Sequence, residues 1–181
     1  LKIELKEFVT YYIPNNKNLN FPTSKFYELW KSIFYSQNYN MKNFVHKDFE
    51  FVNLFFLENY ESHLQCGIID FQSAFMGFIG WDLISLLENP RINFTRDYND
   101  KLIEYFYDNM PIIENFNIFR AQYYVLNLAR QTRLLGRWRK LLSTNNDKKY
   151  LNYLKITKSR TIATLNNIKN YELRSIYEKY L

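Results

Sequence analysis

Cysteine, histidine and glycine are the scarce residues of this sequence. One cysteine (Cys66) and two histidines (His46 and His63) in 181 residues are too few for a Cys/His zinc site, a disulfide framework or a CxxC redox pair. Structural zinc and thiol redox chemistry are excluded. The four glycines, Gly67, Gly77, Gly80 and Gly136, fit neither GxGxxG nor a GxxxxGKS/T loop, so no complete glycine-rich phosphate cradle is present. Long apolar runs are missing as well. Nothing approaches the roughly 18 to 20 residues of a membrane-spanning helix, and Leu1-Lys2-Ile3-Glu4 lacks a signal-peptide pattern. A cytoplasmic location with no membrane partner is expected. Position 1 is Leu instead of an initiator Met and already lies in a helical pattern, which reads as the start of a fragment.

What is present suits one folded domain. Hydrophobic residues make up 47% and charged residues 23%, near soluble-globular averages, with enough apolar surface for a sizeable core. Lys and Arg outnumber Asp and Glu by 24 to 18, a net charge of +6, but the positive charges are scattered among negative ones. Nucleic acid is therefore not an expected partner. A nucleic-acid-binding helical domain stays a lesser reading whose signature would be steep salt-dependent binding to a generic duplex. The aromatic share of 19% is read as codon composition.

Periodicity predicts an α-rich chain with one small hairpin. Helices are expected over residues 1–13, ended by Pro14-Asn15-Asn16, and over 23–38, capped by Thr23 or Ser24 with Phe26, Leu29, Trp30, Ile33 and Phe34 as its core stripe. Residues 44–72 change period: a loop containing His46 to Asn53, the run Leu54 to Leu57, a polar turn, then Gly67-Ile68-Ile69-Asp70, together a loop and a β-hairpin. The remainder, 81–181, is helical, at 81–87, 97–109, 115–142, 147–167 and 170–180. On the longest helix, Ala121, Tyr124, Val125, Leu128, Thr132, Leu135, Trp138 and Leu142 form an apolar face, and Arg130, Arg133 and Arg137 share another, most simply a solvated one. No composition shift marks a second domain.

The chemistry lies in 46–70. His46-Lys47-Asp48-Phe49-Glu50-Phe51-Val52-Asn53 has the HxDxxxxN spacing of kinase catalytic loops, and Asp70 follows 70 − 53 = 17 residues after Asn53. Phosphoryl transfer needs this order: a base aspartate, an amide oxygen for Mg²⁺, a chain reversal, and a second carboxylate returned beside the first two. Asp48 is the expected base, and Asn53 and Asp70 the expected ligands of Mg²⁺ and its bound ATP phosphates. Asp70 taken alone would more commonly be a turn or cap carboxylate. His46 is expected to brace backbone, and Asp82, after Gly80-Trp81, to act as structural support in the form of an N-cap or helix-dipole partner. His63 and Cys66 are expected to be inert.

His46 to Asn53, Ile69-Asp70-Phe71-Gln72-Ser73-Ala74 and Gly80-Trp81-Asp82-Leu83-Ile84-Ser85-Leu86-Leu87 resemble, in order, the catalytic, metal-binding and following-helix motifs of the aminoglycoside phosphotransferase and choline kinase superfamily. Asp70-Phe71-Gln72, the segment from Asp82 to Leu87 and Leu134-Leu135-Gly136 look most like bacterial cell-wall-recycling sugar kinases. The resemblance implies a protein-kinase-like C-lobe, with the N-terminal lobe and its ATP-binding lysine absent. It further implies ATP and Mg²⁺ as cofactors and the anomeric hydroxyl of N-acetylmuramate or N-acetylglucosamine as acceptor. A carboxylate on that acceptor could meet Arg130, Arg133 or Arg137. Ser73 and Trp81 depart from the acid and Tyr common in the family, and leave choline, an aminoglycoside or a homoserine-like alcohol as other acceptors. A non-catalytic remnant that keeps a substrate lobe without a nucleotide lobe is the alternative.

Overall fold

The computed structural model describes residues 2–15, 20–92, 94–112 and 114–181. The expected helix start at Leu1, the Ile3 side chain and the Asn16 end of the first stop signal lie outside them. The chain divides into two compact units: Leu1–Asn38 with Glu114–Leu181, and Tyr39–Ile113.

The first unit is helical. Helix α1 (Lys2–Glu7) runs through a π-helical stretch, Phe8–Tyr12, into the short α2 (Ile13–Asn15), and is followed by α3 (Thr23–Ser36). The helix thus passes Pro14 by one residue. The wide i→i+5 turn ahead of the proline, closed by the Ile13 N–H on the Phe8 carbonyl, relieves the clash of its ring with the carbonyl four residues back. Three further helices, α6 (Phe116–Asn145), α7 (Lys149–Leu165) and α8 (Tyr171–Tyr180), complete the unit.

Helix α6 is its axis. The expected apolar stripe is buried except at its ends, where Ala121 is exposed and Leu142 half-buried, but from Gln122 to Thr132 every position is buried. A helix covered on all sides must satisfy its polar groups internally. Asn127 donates to Thr164 Oγ1 at 3.1 Å, Gln131 to Asn127 Oδ1 at 3.1 Å, and the Trp138 indole to Thr157 Oγ1 at 2.9 Å. On α7, Thr157, Thr161 and Thr164 return their hydroxyl protons to carbonyls four residues back, so these small side chains can sit in the core against α6. An aromatic cluster of Phe8, Tyr12, Phe26, Trp30 and Tyr177 fills the rest, with Phe8 and Tyr12 stacked at 5.0 Å and Trp30 Nε1 donating to the Tyr177 hydroxyl at 3.2 Å.

The start of α3 differs from expectation. Asn115 and Asn170 cap α6 and α8 through the N–H groups of Ile118 (3.1 Å) and Leu173 (2.8 Å), whereas α3 follows Pro22 and has no side-chain cap. Asn170→Ala is expected to cost about 1 kcal/mol, because the Leu173 amide loses its acceptor at a fully buried position. Chemical denaturation of the two proteins measures this difference.

Among its described residues the second unit holds four three-residue strands and two α-helices: β1 (Asn43–Val45), β2 (Leu54–Phe56), β3 (Cys66–Ile68), β4 (Phe75–Gly77), α4 (Trp81–Leu87) and α5 (Arg96–Asn109). The expected hairpin is β2–β3, antiparallel with Leu54 opposite Ile68. A second antiparallel pair, β1–β4, with Val45 opposite Phe75, encloses it in sequence. Local pattern could not announce this pair, since three residues carry too little alternation and the partners are thirty residues apart.

Candidate functional site

The loop between β1 and β2 is held from three directions, all within residues 39–113. The first is α4. Asp82, in its first turn, accepts the backbone N–H groups of His46 (2.8 Å) and Lys47 (2.9 Å) on its two carboxylate oxygens. Asp82 therefore supports the loop and does not cap its own helix, whose N-cap position is Gly80. Ser85, one turn on and almost fully buried, donates to the Lys47 carbonyl at 3.1 Å.

Lys47 is consequently clamped at both of its peptide groups, in a left-handed conformation with φ of 77°. A lysine there costs roughly 1 to 3 kcal/mol and persists only where the surroundings over-determine it. The loop sequence did not announce this strain. Ser85 was also missed as a participant, although its place three residues after Asp82 puts both on one face of a short apolar helix.

The second direction is the hairpin. The Ile69 N–H donates to the Asn53 carbonyl at 3.1 Å, continuing the β2–β3 register by one pair. The His46 imidazole Nε2, 3.0 Å from the Ile69 carbonyl, must be the protonated nitrogen, because a carbonyl only accepts. Ile69 is thus pinned at its N–H to Asn53 and at its C=O to His46, and Asp70 is the next residue. The chain reversal delivers Asp70 one position past the cross-strand partner of Asn53. His46 itself is 4% exposed, with its Nε2 committed to this backbone bond.

The third direction lies within the loop. The Asn53 amide donates from Nδ2 to the Asp48 carbonyl at 2.8 Å, and the Glu50 N–H donates to the same oxygen at 2.9 Å. Since Nδ2 is the donor, Oδ1 is the end of the Asn53 amide left for an outside partner. Asp70 is exposed and, like Lys47, left-handed, with φ of 70°; one of its oxygens accepts Gln72 Nε2 at 2.7 Å. Nothing among the described residues donates to its other oxygen or to the half-buried Asp48 carboxylate. Asp48, Asn53 and Asp70 thus present oxygen acceptors from one braced loop and the strand end attached to it. No group of three or more His, Cys, Asp and Glu that could hold a metal occurs among the described residues. Mg²⁺ does not need one, since it retains water and takes one or two protein oxygens together with phosphate oxygens. An amide oxygen and a carboxylate fit that demand.

Burial pushes the Asp82 carboxyl above the ordinary carboxylate range, the two N–H bonds from His46 and Lys47 opposing it more weakly. Its value in the fold therefore exceeds that in the unfolded chain. The associated stability is fully present below the unfolded value and is lost as pH rises through the folded one. In its ionised form the group thus trades some stability for two charge-assisted bonds to the loop. Asp82→Ala should strand the His46 and Lys47 N–H groups at about 1 to 3 kcal/mol each. Hydrogen exchange would then show accelerated amides at 46 and 47 with α5 amides unaffected, and unchanged exchange at 46 and 47 would refute the brace.

The remaining expected site residues lie in the other unit. Arg130 is buried, at 3% exposure, so the arginine row is not one solvated face; Arg133 is half-buried, and Arg137 is exposed and forms a 3.0 Å ion pair with Glu7. The row reads as surface only where neighbouring helices are ignored. His63 and Cys66 are exposed.

Residues 36–113 match the phosphotransferase enzyme family. Two relatives are each described as N-acetylmuramate/N-acetylglucosamine kinase. The protein of Caulobacter vibrioides is 24% identical over 111 residues, 61% of this chain and 30% of its own length. The protein of Neisseria meningitidis serogroup B is 27% identical over 126 residues, 63% of this chain and 36% of its own length. The matched region thus spans about a third of these relatives. The matched family and both relatives agree with the superfamily to which the motifs point. No helix among the described residues is long and apolar enough to cross a membrane.

Proposed function

We propose that this chain, with a segment of the phosphotransferase enzyme family at residues 36–113, is the acceptor-side part of an ATP- and Mg²⁺-dependent small-molecule kinase whose acceptor is an amino sugar such as N-acetylmuramate or N-acetylglucosamine. The observation that carries the reading is the pinning of Ile69 between Asn53 and His46, which sets Asp70 against the loop that carries Asp48. In that arrangement Asp48 takes the proton of the acceptor hydroxyl while the hydroxyl oxygen bonds to the γ-phosphorus of ATP and the bond to the β,γ-bridging oxygen breaks, releasing ADP. Asn53 Oδ1 and the Asp70 carboxylate would hold Mg²⁺, which when bound offsets phosphate charge. Asp82 and Ser85 keep the loop rigid, so no reorganisation is needed when the hydroxyl arrives.

ATP also needs a surface over its base and ribose. Phe55, Phe56, Ile68 and Phe71, around the β2–β3 hairpin, are exposed by 45 to 70%, an apolar area suited to a nucleotide-holding lobe from outside residues 1–181. The test is a panel of amino sugars, choline, homoserine and aminoglycosides incubated with the whole protein, ATP and Mg²⁺, with ADP release and phosphorus NMR as readouts. Stoichiometric phosphorylation of an amino sugar is expected. ADP release that no acceptor stimulates would refute the reading.

A further inference from the structure

The helical unit holds a second concave site with a different chemistry. A pocket of about 490 Å³ is lined by Arg139 of α6, Leu151, Leu154, Lys155 and Lys158 of α7, and Lys179 of α8, with Tyr12, Tyr180 and Leu181 closing it. Four cations from three helices converge here, and no acidic side chain contributes to the lining. None of these residues belongs to 39–113, where the braced loop lies.

The cations are partly pre-positioned. The Arg139 guanidinium lies 5.9 Å from the Tyr12 ring centroid and Lys179 Nζ 5.1 Å from that of Tyr180. Both rings are themselves fixed: the Tyr12 hydroxyl donates to the Leu181 carbonyl at 3.2 Å and the Tyr180 hydroxyl to the Asn20 carbonyl at 2.8 Å. Lys158 also donates to the Leu181 carbonyl. Lys155 stands one turn before Lys158, so the two share a face of α7. Neither Lys155 nor Lys179 makes an ion pair among the described residues, and Glu178, the acid beside Lys179 in sequence, lies 3.9 Å from Arg174. Even against a carboxylate at Leu181, the four lining cations leave a net charge of three.

Charge of one sign in a concavity focuses the field and concentrates counter-ions. A multiply charged oxyanion meets several cations here at once, and a guanidinium with ammonium groups is the donor set that phosphate takes. Leu151 and Leu154 add an apolar wall, which free phosphate does not need and a carbon skeleton does. We infer that this pocket binds a phosphorylated small molecule, its phosphate among Arg139, Lys155, Lys158 and Lys179 and its body against Leu151 and Leu154. The site is independent of the phosphotransfer reading, and its test involves no turnover.

Isothermal calorimetry of the whole protein, without ATP or Mg²⁺, compares glucose 6-phosphate, glucose, inorganic phosphate and a random DNA duplex. Saturable binding of glucose 6-phosphate that weakens with added salt is expected, with phosphate binding more weakly and glucose not at all. The doubly substituted Lys155→Gln, Lys179→Gln protein removes two cations that hold no other ion pair, and should bind at least about tenfold more weakly with an unchanged melting temperature. Asp48→Asn should bind as the wild type does. Absence of saturable binding, equal binding by the double variant, or a duplex that binds tightly and is not displaced by glucose 6-phosphate would each overturn the inference.

Discussion

Asp48→Asn is expected to lower kcat for acceptor phosphorylation by about 10² to 10⁴, with KM for ATP little changed. The substitution is nearly isosteric and exchanges a carboxylate that can take a proton for a neutral amide that cannot. The braces of the loop do not run through the Asp48 carboxylate: Asn53 and Glu50 hold its backbone carbonyl, and Asp82 and Ser85 hold Lys47 before it. The loop should therefore keep its conformation, and the loss should fall on the chemical step. A structural role would instead lower the melting temperature and raise KM together with the loss of kcat. A variant within twofold of wild type in kcat would remove Asp48 from the reaction, and the proposed function would lose its base.

Gly136→Ala is expected to destabilise the helical unit by about 3 kcal/mol, a fall in melting temperature of roughly 10 °C for a chain of this size. The sign is the informative part. In an exposed helix interior the same change stabilises by about 1 kcal/mol, because alanine is the better helix former. Here a Cβ on Gly136 would stand 2.1 Å from the Glu7 carbonyl carbon and 2.4 Å from the Phe8 nitrogen. Both are backbone atoms, so no rotamer change can yield the space. The start of the π-helical stretch would have to move off α6, and Phe8, 1% exposed, would be drawn from its contacts with Tyr12, Phe26 and Tyr177. Gly67→Ala provides the contrast, since the nearest atoms to its Cβ would be those of the Leu57 side chain at 3.2 to 3.4 Å, and that side chain can shift. Equal melting temperatures for Gly136→Ala and wild type would show that α1 is free to withdraw without cost.

The parts of this protein written in local chemistry were legible. Helices α4 to α8 fall within a few residues of where periodicity and breakers put them, because a stripe repeating every three or four residues and a Pro or Asn breaker act over a single turn. The β2–β3 hairpin was legible for the same reason, and with it the return of Asp70 toward Asn53, since a hairpin register is set by its own strands and turn. The order of Asp48, Asn53 and Asp70 along the chain also required nothing but the sequence. What surrounds them did not follow from it. The partners of Asp82 lie 35 and 36 residues away, and the choice between capping its own helix and accepting the His46 and Lys47 amides is made only when α4 is packed beside the loop. The left-handed Lys47 is a strain that local preference opposes and that packing imposes. Gly136 and Glu7 are 136 − 7 = 129 residues apart, and the two backbones touch only because a missing Cβ lets α1 close on α6. The buried Arg130 shows the converse: its sequence spacing describes a face, and burial of that face is decided by which helices arrive to cover it. Local spacing determined which residues could act, and tertiary contacts, whose energies depend on neighbours distant in sequence, decided which of them are held in place.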